Sequence, residues 1–217
     1  MDKKVILSKV DHTLLGQAAT WAEIKTILDD GIKYGCASAC IPAAYVKQAA
    51  EYVDGKLPIC TVIGFPLGAT LAEIKLAEAE RALALGADEL DMVINIGALK
   101  DKKDDLVFKD INQIANLTRK KGKVLKVIIE TAVLTEEEKE RACKIIMKTD
   151  ADFVKTSTGF SSGGASIEDI VLIRKIVGDS KKIKASGGIK TREFAKALIE
   201  AGADRLGASS AKEIIFP

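Results

Sequence analysis

Two lysines stand where an apolar strand would be expected to continue. The stretch "DFVKTSTGF", Asp152 to Phe160, opens like a buried strand and then places Lys155 ahead of Thr156, Ser157, Thr158 and Gly159. "KIKASGG" repeats the pattern with Lys184, and "ELDMVINIG" sets a carboxylate, Asp91, among apolar neighbours. Burying such charges costs several kcal/mol unless they are paired or neutralised. A buried ion network is one explanation; catalysis is the other. A lysine attacks a carbonyl only as the neutral amine, and its ordinary pKa is about 10.4. A neighbouring cation and partial desolvation both favour that form. Lys155 is thus a candidate Schiff-base nucleophile and Lys184 the cation that tunes it. An iminium withdraws electrons from a breaking carbon–carbon bond, and a carboxylate with water moves the protons. Asp91 is the first candidate for that work and Asp11 the second.

The segments following these strands are rich in glycine and serine. "ASGGI" (Ala185–Ile189) follows one lysine, and "GASS" (Gly207–Ser210) ends the next strand. "STGFSSGG" follows the other lysine. Backbone N–H groups in such loops, with a helix N-terminus nearby, suit a phosphate. Tight turns use the same residues, so each motif alone is weakly specific.

The elements that must position these residues alternate along the chain. Strands are predicted at Val5–Asp11, Gly35–Ile41, Ile59–Gly64, Glu89–Asn95, Val124–Glu130, Asp152–Ser157, Lys182–Ser186 and Arg205–Ala208. Helices are predicted at Thr20–Asp30, Ala43–Val53, Leu71–Leu85, Lys102–Lys121, Glu136–Lys148, Ser166–Val177 and Arg192–Ala201, with a short eighth at Ser210–Ile215. Thr70 with Glu73, and Thr135 with Glu138, read as capping boxes. "LGADELDMV", "TDADFVKTS" and "AGADRLGAS" repeat one helix-to-strand passage. Eight βα units predict a single-domain (β/α)8 TIM barrel over residues 1–217, near the minimal length for that fold. A doubly wound open sheet is the alternative, weakened because no GxGxxG follows the first strand.

Strand alternation sorts the faces. Asp91, Val93 and Asn95 point inward, as do Lys126, Ile128 and Glu130, then Phe153, Lys155 and Ser157, then Lys184 and Ser186. Asp11 falls at or near the end of the first strand. Lys126 and Glu130 read as a supporting interior pair.

Composition excludes several classes. The 217 residues carry 33 Lys+Arg against 31 Asp+Glu, a net charge of +2, too balanced for a nucleic-acid or membrane-surface partner. No apolar run reaches the length of a membrane span, and the basic start is too often charged for a signal peptide. A cytoplasmic protein is expected. Cys36, Cys40, Cys60 and Cys143 show no CxxC, and His12 is the lone histidine. They read as reduced buried thiols rather than a metal site. His12 reads as structural.

With these residues assembled, the chain resembles the deoxyribose-phosphate aldolase family of class I aldolases. "DHTLL", "CIP", "DELDMVINIGALK", "KVIIET", "DFVKTSTGF", "KASGGI" and "GASS" fall in family order nearly end to end. The resemblance implies reversible cleavage of 2-deoxy-D-ribose 5-phosphate to D-glyceraldehyde 3-phosphate and acetaldehyde. It implies that Lys155 forms the imine, Lys184 is the second lysine, Asp91 transfers protons and Asp11 pairs with Lys184. Phosphate contacts would fall on Gly159, Gly187, Gly188, Gly207, Ser209 and Ser210, with Thr158 and Cys40 along the cleft. It implies no metal and no organic cofactor, and phosphosugar and aldehydes as partners. Two departures stand out. Phe160 occupies a position where some members carry a phosphate-contacting lysine. The chain ends at Phe216-Pro217 without the terminal tyrosine of some members, so Asp91 and water are expected to act without it.

Competing readings are a phosphosugar isomerase without a covalent lysine intermediate, a non-catalytic phosphometabolite-binding barrel, and an aldolase for other aldehydes. The short eighth helix leaves barrel surface for self-association, and a homodimer or homotetramer is expected.

Overall fold

The computed structural model describes residues 1–209. Its eight strands are β1 (Val10–Thr13), β2 (Ser38–Cys40), β3 (Ile59–Ile63), β4 (Glu89–Val93), β5 (Val124–Ile128), β6 (Phe153–Lys155), β7 (Lys182–Ser186) and β8 (Arg205–Ala208). Each pairs in parallel with the next, and β8 closes on β1. The predicted (β/α)8 barrel is the observed fold. The helices are α1 (Lys3–Leu7), α2 (Trp21–Tyr34), α3 (Val46–Val53), α4 (Ala72–Ala84), α5 (Ile96–Lys100), α6 (Asp104–Lys120), α7 (Glu136–Met147), α8 (Ile167–Val177) and α9 (Arg192–Glu200). The eighth helix expected at Ser210–Ile215 lies outside the described residues. Among the described residues, no helix is long and apolar enough to cross a membrane.

The apolar core lies between barrel and helices. Val10, Ala39, Ile63, Leu90, Met92, Val127, Val154, Ile183 and Leu206 face it from the strands. Apart from Ala39, each such side chain stabilises the fold by roughly 1.5–3 kcal/mol on full burial. Their alternation with polar residues turns the polar ones into the barrel lumen.

Several predicted elements shift. Residues 5–7 form the end of α1, not the start of the first strand. Lys4 N donates to the side chain of Asp2, and Ile6 and Leu7 join the core. A short apolar run fits either period, so the local pattern could not separate them. As a result β1 begins later, and Asp11 sits inside the strand rather than at its end. The capping box at Thr70 does not form. Leu71 takes the N-cap of α4 without a side-chain bond. Lys75, fully buried, fixes the helix instead through Asp110 Oδ2 at 2.6 Å and the Val93 carbonyl at 2.9 Å. Thr135 and Glu138 do form their box. Asn95 does not extend β4 inward; its side chain caps α5 at Ala98 N, 3.0 Å away. The long helix predicted from Lys102 is α6 preceded by α5. Lys102 has φ 59°, a left-handed backbone that separates the two.

Candidate active site

The inward residues converge on Asp91. Its Oδ2 lies 2.7 Å from Lys155 Nζ and 2.7 Å from Lys184 Nζ, while its Oδ1 lies 2.8 Å from Lys126 Nζ. Lys184 also pairs with Asp11 Oδ2 at 2.5 Å. Below them Arg205 contacts Asp11 Oδ1 at 2.5 Å and Glu89 Oε2 at 3.2 Å, and Lys126 contacts Glu89 Oε2 at 2.5 Å. Ser38 Oγ donates to Asp11 Oδ1 at 2.8 Å. Four cations thus meet three carboxylates, and loss of one proton brings the cluster to neutrality. Lys155 has one carboxylate partner in this network and lines the cavity above it; Lys184 has two and does not.

Burial opposes the charges of Asp91, Asp11, Lys184 and Lys126, yet the ion pairs outweigh it. Burial alone would raise Asp91, but Lys126, Lys155 and Lys184 hold it well below the usual carboxylate range. Asp11 is likewise held low against burial by Lys184, Lys126 and Arg205. Burial would lower Lys184, but Asp11 and Asp91 raise it, so it is a permanent cation at neutral pH. Lys126 is raised against burial by Asp91 first among its neighbours.

These directions fix a pH window. A carboxylate depressed on folding contributes stability that is complete above its unfolded pKa, ordinarily 3.8, and is lost as pH falls through its folded value. A lysine raised on folding contributes stability that is complete below its unfolded pKa, ordinarily 10.5, and is lost as pH climbs through its folded value. Thermal melts are expected to be flat between about pH 5 and 9 and to fall below about pH 4. Asp11→Asn should show a shallower acid slope than the parent; an unchanged slope would remove Asp11 from the linkage.

Above the cluster lies a cavity of about 280 Å³. Thr158, Gly159, Gly187, Gly188, Gly207 and Ser209, the residues expected to contact substrate and phosphate, lie on its wall. Ser210 lies outside the described residues. Cys40 is fully buried beneath the wall, the register partner of wall residue Thr13. Gly159, Gly187 and Gly188 have φ of 83°, 86° and 75°, which side chains adopt only with strain. Successive residues of such conformation, as at Gly187 and Gly188, are the kind of backbone that builds an anion-binding nest. The loop after β6 is tied to β7 by Ala165 N, which donates to the carbonyls of Ser186 at 2.9 Å and Gly187 at 3.1 Å. Gly164 is needed there because a Cβ would collide with the Gly187 carbonyl.

Glu130 departs from its predicted role. It sits past the end of β5 with φ 59° and accepts from Thr158 Oγ1 at 2.5 Å and Thr158 N at 3.2 Å, rather than pairing with Lys126. It holds the β6 loop in place. His12 is buried in β1, 4.0 Å from Asp30 on α2, in keeping with a structural role. Glu89 and Arg205 were missed, although alternation marks both: each precedes an inward residue, Asp91 or Gly207, by two. Lys190 was also missed. It lines the cavity directly after "ASGGI" and carries a charge where Phe160 does not. Phe160 instead stacks edge-on against Phe65 at 5.2 Å between ring centroids, an apolar rim.

Among the described residues, Cys40, Cys60 and Asp91 place possible ligand atoms within 4.8 Å of one another. Both Asp91 oxygens already face ammonium groups, which a dication would have to displace, so this donor set does not suit one.

A parallel barrel with two lysines on one carboxylate oxygen, under a glycine-walled cavity, defines a carbonyl-processing (β/α)8 enzyme. The chain belongs to the DeoC/LacD family of aldolases, whose model matches residues 1–214. It is 52% identical over 217 residues to a deoxyribose-phosphate aldolase of Caldicellulosiruptor saccharolyticus, covering 99% of each chain. The solved structure of QR15, an aldolase, superposes with a TM-score of 0.92 at 38% identity, covering 97% of this chain and 94% of that one. The tetrameric deoxyribose phosphate aldolase of Aeropyrum pernix gives 0.93 at 30% identity, covering 99% and 91%.

Proposed function

We propose that this aldolase cleaves 2-deoxy-D-ribose 5-phosphate reversibly through an imine on Lys155. The observation that carries the reading is the shared Asp91 oxygen, 2.7 Å from both lysines, one of which, Lys155, lines the cavity. The amine of Lys155 attacks the substrate aldehyde carbon, and the carbinolamine loses water to give the iminium. Asp91, through water, takes the proton from the C3 hydroxyl, and the C2–C3 bond breaks. The electron pair moves into the iminium to form an enamine, and D-glyceraldehyde 3-phosphate departs. A proton returned through the same carboxylate converts the enamine to an imine, and hydrolysis releases acetaldehyde. Lys184, fixed by Asp11, places a standing positive charge on the same Asp91 oxygen that Lys155 contacts. The whole of residues 1–217 serves as one catalytic barrel in this proposal, and no metal or organic cofactor enters it.

Incubation with acetaldehyde, reduction with borohydride and peptide mapping tests the nucleophile. An ethyl group on Lys155 is expected. Label on Lys184 would exchange the two roles, and no site-specific label would leave a barrel without a covalent intermediate.

Lys190 supplies the charge on the phosphate side. Lys190→Ala should raise KM for 2-deoxyribose 5-phosphate about tenfold, worth about 1.4 kcal/mol, with kcat little changed. KM for unphosphorylated 2-deoxyribose should not move. An equal effect on both substrates would refute a phosphate contact.

Self-association, as a homodimer or homotetramer, is part of the reading. Leu67, Leu71 and Ile74 are exposed at 76%, 65% and 53% near the start of α4. Sedimentation at micromolar concentration is expected to show an oligomer, and monomer alone would refute it. A cytoplasmic setting is supported by four free buried cysteines, which a reducing compartment preserves.

A further inference from the structure

Two of those cysteines lie next to the catalytic carboxylate without a part in the aldol chemistry. We propose that Cys40 and Cys60 are a thiol pair that a hydroperoxide converts to a reversible disulfide, switching the enzyme off.

Cys40 on β2 and Cys60 on β3 are register partners. Neighbouring strands lie about 4.8 Å apart, inside the roughly 4.4–6.8 Å between Cα atoms that a disulfide requires. Both side chains lie on the lumen face: they pack with Val62, Leu15 and Phe65, apart from the helix-side core. Their sulfurs and an Asp91 oxygen fall within 4.8 Å of one another. Cys60 Sγ donates to Asp91 Oδ1 at 3.3 Å, and Lys126 Nζ donates to Cys60 Sγ at 3.4 Å.

The two thiols differ in character. The Cys60 thiol beside it lowers Cys40, with help from Lys184 and Lys155 against burial and Asp91. Burial raises Cys60 well above a free thiol. Cys36 and Cys143, away from these lysines, are pushed up to about 12 by burial. Cys40 is therefore the thiol more readily ionised and Cys60 the resolving thiol. Leu15, which packs against the thiol pair, also lines the substrate cavity, and that is the route by which a peroxide would reach them. Lys155 is only 3% exposed yet must meet an aldehyde, and hydrogen peroxide is smaller than acetaldehyde.

The chemistry balances. The Cys40 thiolate attacks one peroxide oxygen; the O–O bond breaks, sulfur is oxidised to sulfenic acid and hydroxide leaves. The Cys60 sulfur then attacks the sulfenic sulfur; the S–S bond forms, the S–O bond breaks, and the departing hydroxide takes the Cys60 proton as water. Two thiols and one hydrogen peroxide give one disulfide and two waters. The disulfide removes the S–H bond to Asp91 and draws the Cys60 sulfur away from Lys126 and the carboxylate.

Hydrogen peroxide treatment of the folded protein, followed by thiol blocking, non-reducing peptide mapping and an activity assay, tests this. The expected result is loss of two hydrogens from the intact mass and a linked Cys40–Cys60 peptide. The aldol rate should fall by more than about tenfold and return with dithiothreitol. A protein with Cys36→Ala and Cys143→Ala should switch the same way. With Cys60→Ala, compared with its own untreated rate, inactivation should become irreversible as Cys40 oxidises to the sulfinic acid. No Cys40–Cys60 link in protein shown folded by circular dichroism would overturn the proposal, as would a link that leaves the rate intact. The mass readout needs no turnover, whereas the rate readout rests on the Asp91 role. A protein that forms the link but has no untreated aldol rate would locate the failure in the catalytic assignment.

Discussion

Lys155→Met is expected to lower kcat by on the order of 10⁴-fold, about 5.4 kcal/mol of transition-state stabilisation, and to abolish borohydride trapping. Removing the nucleophile forces the carbon–carbon bond to break without an iminium to take its electrons. The same change should leave stability unharmed or raise it by about 1 kcal/mol. Methionine fills nearly the same volume with no charge. The remaining Lys126, Lys184 and Arg205 then face Asp11, Glu89 and Asp91 as three cations against three carboxylates. Steady-state kinetics with thermal melts on the same sample reads both effects. Residual imine formation at another lysine with near-normal turnover would defeat the assignment, and a large fall in stability would show that the Lys155–Asp91 pair holds the barrel together.

Asp91→Asn should damage both properties. Lys155 loses its carboxylate in the network, while Lys126 retains Glu89 and Asp11, and Lys184 retains Asp11. Breaking a buried ion cluster by removing one partner costs about 3–5 kcal/mol. At about 2–4 °C per kcal/mol for a chain of this size, the melting temperature should fall by roughly 10 °C. Loss of the proton carrier should lower kcat by about 10²–10⁴-fold. Imine trapping on Lys155 should persist, slowed, because the nucleophile remains. A variant with normal rate and lowered stability would make Asp91 a structural partner only.

The contrast between these variants separates what each member of the cluster contributes. Lys155 is the cluster cation with a single carboxylate partner, in a group of four cations and three carboxylates. Asp91 is that partner. An active site that stores an uncompensated charge needs this kind of scaffold, since an isolated buried ammonium would relax by moving or losing its proton.

The candidate site was more legible in the sequence than the ends of its elements. Lys155, Lys184, Asp91 and the paired glycines follow from a period of two and from the cost of buried charge. Residues 5–7 were misread because three apolar residues satisfy a helix and a strand equally. α5, Ile96–Lys100, was not predicted, because five residues are too few to show a helical period; the helix predicted from Lys102 is α6 alone. Glu130 was placed with Lys126 by strand alternation that in fact stops at Ile128. Thr70 satisfied the capping pattern, but the buried Lys75–Asp110 pair set the helix start instead.

What the sequence by itself determined is the face on which each side chain lies. Backbone pleating is a local property, so β4, β5, β6 and β7 declared the faces of Asp91, Lys126, Lys155 and Lys184 without reference to one another. The tertiary structure decided which of those residues meet. Lys155 and Asp91 are 64 positions apart, and Lys184 and Asp11 are 173 apart, on strands whose relative heights no local pattern states. Closing the sheet requires the strands to tilt and stagger, and that stagger brings side chains from β1, β4, β6 and β7 to one level. The charges could then settle on a single carboxylate oxygen, because barrel closure had already set their separation.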